Sequence, residues 1–329
     1  MRIDDYFLKC RKSVFDMSNN KFLLSLIESS DQEKDLTVPP NCNGYGRIRH
    51  FRRFISKEWG KDPLPIDPAC KALGLEKCDV METQVFQIAS CNVSCWYCFV
   101  PDNLKKAAEC HSKWFSASEM IDLFQRDCKG IHVLDLSGGN PELVPEWIYH
   151  VMKELKRRKI DNQVYLWSDD TLTTSYFFDY LRESQIAYIK RYENYGKVCC
   201  FKGFDSNSFS FNARLPQEFF DKQFENFERY FELGLDLYGY VTFTTNNIAD
   251  IEEKISKFLN RLRGIHPLLP LRIVPLKISV FTPMKDRLNP AYTNAVKNQE
   301  NVYKEWRKQL EHIYDSNLLN SNICDIKLL

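Results

Sequence analysis

Short apolar runs alternate with amphipathic segments along most of the chain. The runs are rich in β-branched and aromatic residues and predict six β-strands, whereas the segments between them carry apolar residues at helical spacing. The predicted strands lie at residues 84–89, 131–136, 163–167, 198–201, 237–243 and 271–280. Strands that alternate with helices in this way predict a parallel sheet with right-handed crossovers.

The predicted helices fill the gaps between these strands. Ser116 and Glu119 form an S-x-x-E capping box that predicts a helix start, and Pro216 is a suitable first helical residue. The helices are predicted at residues 116–127, 145–158, 176–181, 216–233 and 248–263. Residues 186–195 fit the end of a helix, a separate strand or a loop equally well.

The two ends of the chain have a different character. Residues 1–80 predict a mostly helical extension of short helices joined by turns, with a Pro-rich extended connector at 59–72. Residues 292–319 predict a polar amphipathic helix. We therefore predict three units, an N-terminal extension at 1–80, a core at 81–283 and a C-terminal helical segment at 284–329.

One basic stretch within the extension has two interpretations. Residues 44–54 alternate four arginines and a histidine with aromatic side chains. Arginine forks pair well with phosphate and carboxylate, so the stretch could bind an anion beside the active site. An exposed basic helix face with its aromatics turned inward explains the same composition, and this interpretation is favoured.

Charge and hydropathy exclude several partner classes. The chain of 329 residues has 45 Lys and Arg against 44 Asp and Glu, so there is no overall bias toward nucleic acid or an acidic surface. No run approaches the roughly 20 apolar residues of a membrane span, and the N-terminus lacks a targeting pattern. We expect a cytoplasmic protein without a membrane partner and with no indicated nucleic-acid partner.

Three of the 12 cysteines are clustered at ligand spacing. Cys91, Cys95 and Cys98 form a C-x3-C-x2-C loop directly after the first predicted core strand. Three thiolates can bind three irons of a [4Fe–4S] cluster and leave the fourth iron without a protein ligand. They can also supply most of a tetrahedral zinc site, with a fourth ligand such as His132, Cys110 or Cys128.

The next predicted strand ends in a second informative turn, Gly138-Gly139-Asn140-Pro141. Glycine lacks a Cβ atom, so such a turn lets the backbone approach a ligand closely. This turn and the cysteine loop, with Tyr97 before its last cysteine, resemble the radical S-adenosylmethionine (radical SAM) enzymes. That family commonly has Gly-Gly-Glu-Pro here, so Asn140 is a departure. The resemblance predicts an α/β fold, a partial (β/α)6 parallel barrel with a mostly helical N-terminal extension and a C-terminal helix.

The resemblance also implies the cofactors and the residues that hold them. Cys91, Cys95 and Cys98 would hold a [4Fe–4S] cluster whose open iron is chelated by S-adenosylmethionine. Other residues would contact S-adenosylmethionine itself, namely Tyr97, Gly138, Gly139, Asn140, Pro141, Ser168, Asp169, Asp170 and Lys202. Of these, the Ser-Asp-Asp cluster is suited to the ribose hydroxyls, although helix capping explains it equally well.

The implied reaction begins when a one-electron reductant such as flavodoxin or ferredoxin reduces the cluster. Cleavage of S-adenosylmethionine then gives methionine and a 5′-deoxyadenosyl radical, which abstracts hydrogen from an unidentified peptide, nucleotide or metabolite. No catalytic side chain is assigned. One alternative is a glycyl-radical-activating enzyme, favoured by Lys202-Gly203-Phe204-Asp205. The other is a non-catalytic zinc-binding module, which the missing fourth ligand disfavours.

Overall fold

The computed structural model describes residues 2–328. The N-terminal part contains α1 (Ile3–Lys12), β1 (Phe15–Asp16), β2 (Lys21–Ser25), β3 (Gly46–Arg52) and α2 (Ile66–Leu73). The central part contains β4 (Val80–Phe86), β5 (Ser112–Ser116), α3 (Ala117–Asp127), β6 (Val133–Leu136), α4 (Glu146–Arg157), β7 (Tyr165–Asp170), α5 (Tyr176–Tyr180), α6 (Glu183–Lys190), β8 (Tyr195–Phe201), α7 (Ser206–Ala213), α8 (Phe219–Leu233), β9 (Leu237–Thr242), α9 (Ile251–Ile265) and β10 (Ile273–Leu276). The C-terminal part contains α10 (Thr282–Lys285), α11 (Pro290–Ile313) and α12 (Ser316–Asn320).

The main sheet has seven strands in the order β10-β9-β8-β7-β6-β4-β3. Six of them are parallel and follow the predicted β/α alternation. The seventh strand, β3, pairs antiparallel with β4. The predicted α/β fold with a partial parallel barrel is therefore confirmed, with one strand added from the N-terminal extension. A small antiparallel sheet, β1-β2-β5, joins the segment that continues β4 through an antiparallel bridge between Leu24 and Ile88.

Strand alternation divides the barrel interior into an apolar layer and a polar layer. The apolar layer is a buried cluster that includes Phe51, Met81, Val133, Trp167, Val198 and Tyr238. Two residues further along the strands, the same face carries Arg49, Thr83, Asp135, Asp169, Cys200 and Tyr240. The interior is thus closed by packed side chains at one end and polar toward the carboxyl ends of the strands.

The predictions for the N-terminal extension were partly wrong. Residues 44–54 do not form a helix with an exposed basic face. They contain β3, in which Arg47, Arg49 and Phe51 share one face because their spacing is two. The Pro-rich segment at 59–72 is not extended throughout, since it includes α2, which ends at Gly74 in the left-handed conformation (φ 64°).

The five predicted core helices lie close to their predicted positions, but α6 and α7 were not predicted as separate helices. The capping box at Ser116 is present, with the Glu119 amide 3.2 Å from the Ser116 hydroxyl. Residues 186–195 contain the end of α6 and the start of β8. The helix predicted from Pro216 begins three residues later, at Phe219. Among residues 2–328, no helix combines the length and apolar character that crossing a bilayer requires.

Candidate functional site

The cysteine loop follows β4 at the carboxyl end of the barrel. Cys91 and Cys98 are half-buried and Cys95 is 9% exposed. All three line one cavity of about 520 Å³, together with the glycine turn after β6. The structure therefore brings the predicted cluster ligands and the predicted cofactor turn to the same space.

Two lysines oppose the effect of burial on these thiols. Burial raises the pKa of Cys91 to about 12, and the charge of Lys105 acts in the opposite direction. Burial likewise raises the pKa of Cys95, where Lys202 is the main opposing charge. Because iron binds the thiolate, these cations favour the ligating form. The donor set fits three corners of a [4Fe–4S] cluster.

The arrangement does not resemble a zinc site. Among residues 2–328, no group of three or more His, Cys, Asp or Glu side chains is placed to hold one metal ion. None of the three candidates for a fourth ligand lines the cavity. His132 precedes β6 at the other end of the barrel, Cys110 is exposed, and Cys128 donates to Gln84 Oε1 at 2.9 Å. Cluster ligands bind different irons and need no such convergence on one ion.

The glycine turn packs directly against the segment that leads into the cysteine loop. Gly138 and Gly139 have φ values of 92° and 66°, which favour glycine. A Cβ atom on Gly139 would lie 2.3 Å from the Ile88 carbonyl oxygen and 2.5 Å from that of Ser90. Both glycines and Pro141 line the cavity. Glycine is required here for close backbone packing as well as for the turn.

Asn140 differs from its neighbours in the turn, because it does not line the cavity. Its amide N–H donates to the Ser90 carbonyl at 2.9 Å. Its side-chain Nδ2 donates to Asn92 Oδ1 at 2.7 Å, and the side chain is fully buried. In this structure Asn140 connects the glycine turn to the cysteine loop.

The two aromatic residues of the loop have different surroundings. Trp96 is fully buried, donates from Nε1 to Asn212 Oδ1 at 3.0 Å and stacks on Tyr292 with ring centroids 4.4 Å apart. Tyr97 lines the cavity, and its hydroxyl lies 3.1 Å from Thr242 Oγ1 on β9. Trp96 anchors the loop, whereas Tyr97 is available to a ligand.

The polar cluster at the end of β7 divides between two faces of the sheet. Ser168 is buried on the outer face, 2.9 Å from the Tyr195 hydroxyl, and does not line the cavity. Asp169 points to the interior and accepts a hydrogen bond from Ser137. Asp170 reaches the cavity at the strand end but also pairs with the buried Lys197 at 3.3 Å. Asp169 is thus better placed for a ligand than Ser168.

Lys197 is the centre of a buried ion-pair group behind the glycine turn. Its Nζ contacts Glu142 as well as Asp170, and all three side chains are buried. It also lies 4.6 Å from the ring centroid of Tyr230. The sequence did not predict this ion-pair group, because no local pattern distinguishes a buried lysine in a strand from an exposed lysine.

Lys202 directly follows β8. Its half-buried side chain lines the cavity. The neighbouring Asp205 accepts from the Ser208 amide at 2.7 Å and caps α7. A Cβ atom on Gly203 would lie 2.3 Å from the Phe209 amide nitrogen. The Lys-Gly-Phe-Asp segment is thus explained in large part by the start of a helix.

Two arginines of the basic stretch at 44–54, for which the sequence left an anion-binding interpretation open, reach the cavity. Arg47 and Arg49 on β3 line it, and Arg47 is 5% exposed. Burial and the neighbouring Arg49 lower the pKa of Arg47 to about 10. Asp135 on β6 is fully buried, and burial together with Asp169 raises its pKa well above the usual range. The sequence signal that could have identified Asp135 and Asp169 is the period-two alternation of the strands, because it places both side chains on the inward face of the sheet.

A second, smaller cavity of about 150 Å³ also borders the cysteine loop. It contacts Cys91 and Cys95. Its charged lining residues are Asp102, Lys105, Lys106, Arg214 and Arg287. Four cations against one acid make this surface locally basic in a chain of almost neutral total charge.

Comparison with known proteins gives one family match. The model of the radical SAM superfamily matches residues 87–258, just over half of the chain. No match was found among curated proteins.

Solved structures show distant similarity. SuiB from Streptococcus suis bound to S-adenosylmethionine has 12% identity and a TM-score of 0.40, over 55% of this chain and 37% of that chain. SuiB bound to precursor peptide SuiA has 11% identity and a TM-score of 0.39, over 55% and 36%. Native anSMEcpe with bound AdoMet has 15% identity and a TM-score of 0.44, over 68% and 60%. The chain covers little more than a third of the length of SuiB.

Proposed function

The chain belongs to the radical SAM superfamily, and on that premise we propose that it cleaves S-adenosylmethionine reductively and abstracts hydrogen from a substrate in the barrel. The family cofactors are a [4Fe–4S] cluster and S-adenosylmethionine. One observation carries the proposal: three half-buried to buried cysteines and the Gly138-Gly139 turn line the same cavity. This combination supports both cofactors at once.

Cys91, Cys95 and Cys98 would hold the cluster. When bound, the cluster and S-adenosylmethionine supply a one-electron cleavage that yields methionine and a 5′-deoxyadenosyl radical able to take hydrogen from a C–H bond. Lys105 and Lys202 keep positive charge beside the thiolates. Trp96 anchors the loop through its contacts with Asn212 and Tyr292.

The residues around the cysteines would orient S-adenosylmethionine. The cavity is lined at this point by Tyr97, Gly138, Gly139 and Pro141. Asp170 and Lys202 supply charges of opposite sign at neighbouring strand ends. We give Asn140 and Ser168 supporting roles, because their side chains contact Asn92 and Tyr195 instead of the cavity.

The proposal keeps the division of the chain into three units. We propose that residues 81–283 form the catalytic core, that residues 1–80 extend it with β3 and α1, and that residues 284–329 pack against it. The N-terminal helix reaches the site directly, since the Tyr6 hydroxyl lies 3.5 Å from the Cys91 carbonyl. The substrate, a peptide, nucleotide or metabolite, would enter the polar half of the barrel.

The partner that this chemistry requires is a one-electron reductant such as flavodoxin or ferredoxin. We propose that it docks at the basic cavity bordered by Lys105, Lys106, Arg214 and Arg287, which contacts two of the thiols. An acidic protein surface would be attracted there. We place the activity in the cytoplasm, where thiols are kept reduced.

The test is anaerobic reconstitution with iron and sulfide, followed by S-adenosylmethionine, a strong chemical reductant and an assay for 5′-deoxyadenosine. A Cys95→Ala variant should lose both the cluster and the cleavage. The matched control is Cys199→Ala, which removes a buried thiol from the outer face of β8 and should retain both. Cleavage by the Cys95→Ala variant, or a reconstituted wild-type protein that makes no 5′-deoxyadenosine, would contradict the proposal.

A further inference from the structure

Arg47 is a buried cation without a complete set of protein partners. Its side chain lines the main cavity and is 5% exposed. Within residues 2–328, its buried Nε atom has no hydrogen-bond partner. The ring centroid of Phe99 lies 5.2 Å from its guanidinium carbon. A buried guanidinium is costly unless its donors are paired, so this geometry points to a ligand.

Asp135 is a second buried group without a partner at the same depth. Neither of its carboxyl oxygens has a hydrogen-bond partner among the described residues. The closest cation is Arg49, whose Nη1 lies 4.0 Å from Asp135 Oδ2, beyond hydrogen-bond distance. The raised pKa of Asp135, caused by burial and by Asp169, favours the protonated form. A protonated carboxyl can donate a hydrogen bond, as the two arginines do.

The acids that line the cavity, which do not include Asp135, are already occupied by protein donors. Asp62 accepts from the Tyr240 hydroxyl at 2.9 Å and from the Leu64 amide at 3.1 Å. Asp169 accepts from Ser137. The groups left for a ligand in the deep half are therefore mainly donors, and they match the several acceptor oxygens of a carboxylate or phosphate.

The position of Arg47 separates it from the cofactor turn. Arg47 pairs with Val85 on β4, and Val85 pairs with Asp135 on β6, so the three residues share one level of the sheet. The glycine turn packs at the level of Gln87, two residues further along, which is about 7 Å at the rise of a strand. Arg47 and Asp135 thus lie deeper in the barrel than the residues proposed to bind S-adenosylmethionine.

We infer that the substrate carries an oxyanion, a carboxylate or a phosphate group, that binds Arg47 and Arg49 of β3 in the deep half of the cavity. This inference rests on the proposed function, because it concerns the substrate of the same site. The oxyanion fixes one end of the substrate, so the hydrogen to be abstracted lies on the part that extends toward the cysteine loop.

The test uses the full chain with its cluster reconstituted and three small probes, inorganic phosphate, acetate and neutral acetamide. Binding is measured by calorimetric titration in the absence of reductant. Phosphate or acetate should bind saturably and acetamide should not, and the stronger of the two anions identifies the source. Arg47→Gln and Arg49→Gln should each weaken that binding by about 10- to 100-fold, the effect expected for a charged hydrogen-bonding partner.

Matched controls make the result decisive. Arg157→Gln removes an exposed arginine from α4 and should leave anion binding unchanged. If Arg47→Gln does not fold, Arg49→Gln and Arg47→Lys provide the same comparison, since lysine keeps the charge but loses the fork. Three results would overturn the inference: no saturable anion binding by the wild type, equal binding by the arginine variants, or displacement of the anion by S-adenosylmethionine.

Measuring both anion binding and 5′-deoxyadenosine formation distinguishes a failure of the proposed function from a failure of the anion site. A wild-type protein that binds the anion but forms no 5′-deoxyadenosine would contradict the radical chemistry and leave the anion site standing. A wild-type protein that cleaves S-adenosylmethionine but binds no anion would support the radical chemistry and contradict the anion site.

Discussion

Replacing Gly139 with alanine tests whether the glycine turn and the cysteine loop are packed as one unit. Gly139 has a φ of 66°, and an added Cβ would lie 2.3 Å from the Ile88 carbonyl oxygen. This oxygen belongs to the backbone of the segment that leads into Cys91, so it cannot move unless the cysteine loop moves with it. Gly74, at the end of α2, has nearly the same φ of 64° but no atom within 4 Å of an added Cβ. The two sites therefore share the backbone strain and differ in the space available.

The expected costs follow from this comparison. Gly74→Ala should lower the free energy of unfolding by about 1 kcal/mol, the cost of a left-handed conformation for a residue with a Cβ. Gly139→Ala should cost that amount plus about 1–3 kcal/mol for overpacking. Gly138→Ala should fall between them, because its closest atom, 2.5 Å away, belongs to the Gln87 side chain.

Two measurements check the series. Urea titration of each variant without iron gives the free energy of unfolding, and iron analysis after anaerobic reconstitution gives the cluster content per chain. Gly74→Ala should retain wild-type iron, and Gly139→Ala should lose most of it. If Gly139→Ala were no less stable than Gly74→Ala and bound as much iron, the argument that the turn positions the cysteine loop would be refuted.

Three further predictions concern charges. Burial raises the pKa of Asp62 to about 6 from a usual value of 3.8, so the native state loses stability as pH rises from about 4 through 6. Asp62→Asn should therefore be more stable than wild type at pH 8 by up to about 3 kcal/mol and equally stable below pH 4. If urea titrations gave the two proteins the same dependence of the free energy of unfolding on pH, this prediction would be contradicted. Lys106→Glu should slow 5′-deoxyadenosine formation when flavodoxin is the reductant but not when a chemical reductant is used. The control Lys129→Glu, at another exposed position, should slow neither reaction. If Lys106→Glu had an equal effect with both reductants, docking at the basic cavity would be contradicted. Lys197→Met should lower the free energy of unfolding by about 3–5 kcal/mol, because it leaves buried carboxylates without their cation. Adding Glu142→Gln should recover part of that loss. If the double variant showed no recovery, Lys197 and Glu142 would not be energetically coupled.

Most of the barrel could be predicted because its strands obey one simple pattern. The six parallel strands are short apolar runs separated by amphipathic segments, and the cysteine and glycine loops stand directly after two of them. Local residue types therefore determine both the element and its functional end. Helix starts were accurate where a capping box defines them, as at Ser116, and less accurate where proline alone suggested them, as at Pro216.

The errors came from long-range pairing and from side-chain direction. Residues 44–54 form a strand because β4 offers a free edge about 30 residues later, and no local pattern shows that edge. At the end of β7, Ser168, Asp169 and Asp170 were treated as equivalent, although alternate residues of a strand face opposite sides. The buried contacts of Ser168 with Tyr195 and of Asn140 with Asn92 also depend on residues distant in the chain.

The loop after β3 has a consequence for substrate size. A partial barrel leaves a seam between its first and last strands, here β3 and β10. Lys277 donates to Ser56 Oγ at 2.9 Å and Trp59 Nε1 donates to the Pro275 carbonyl at 3.0 Å, so residues of this loop join the two edges. We expect changes in the loop to widen or narrow the seam while the cysteine and glycine turns stay in place. We therefore expect this loop to limit the size of the molecule that can enter the barrel, independently of the cysteine loop and the glycine turn.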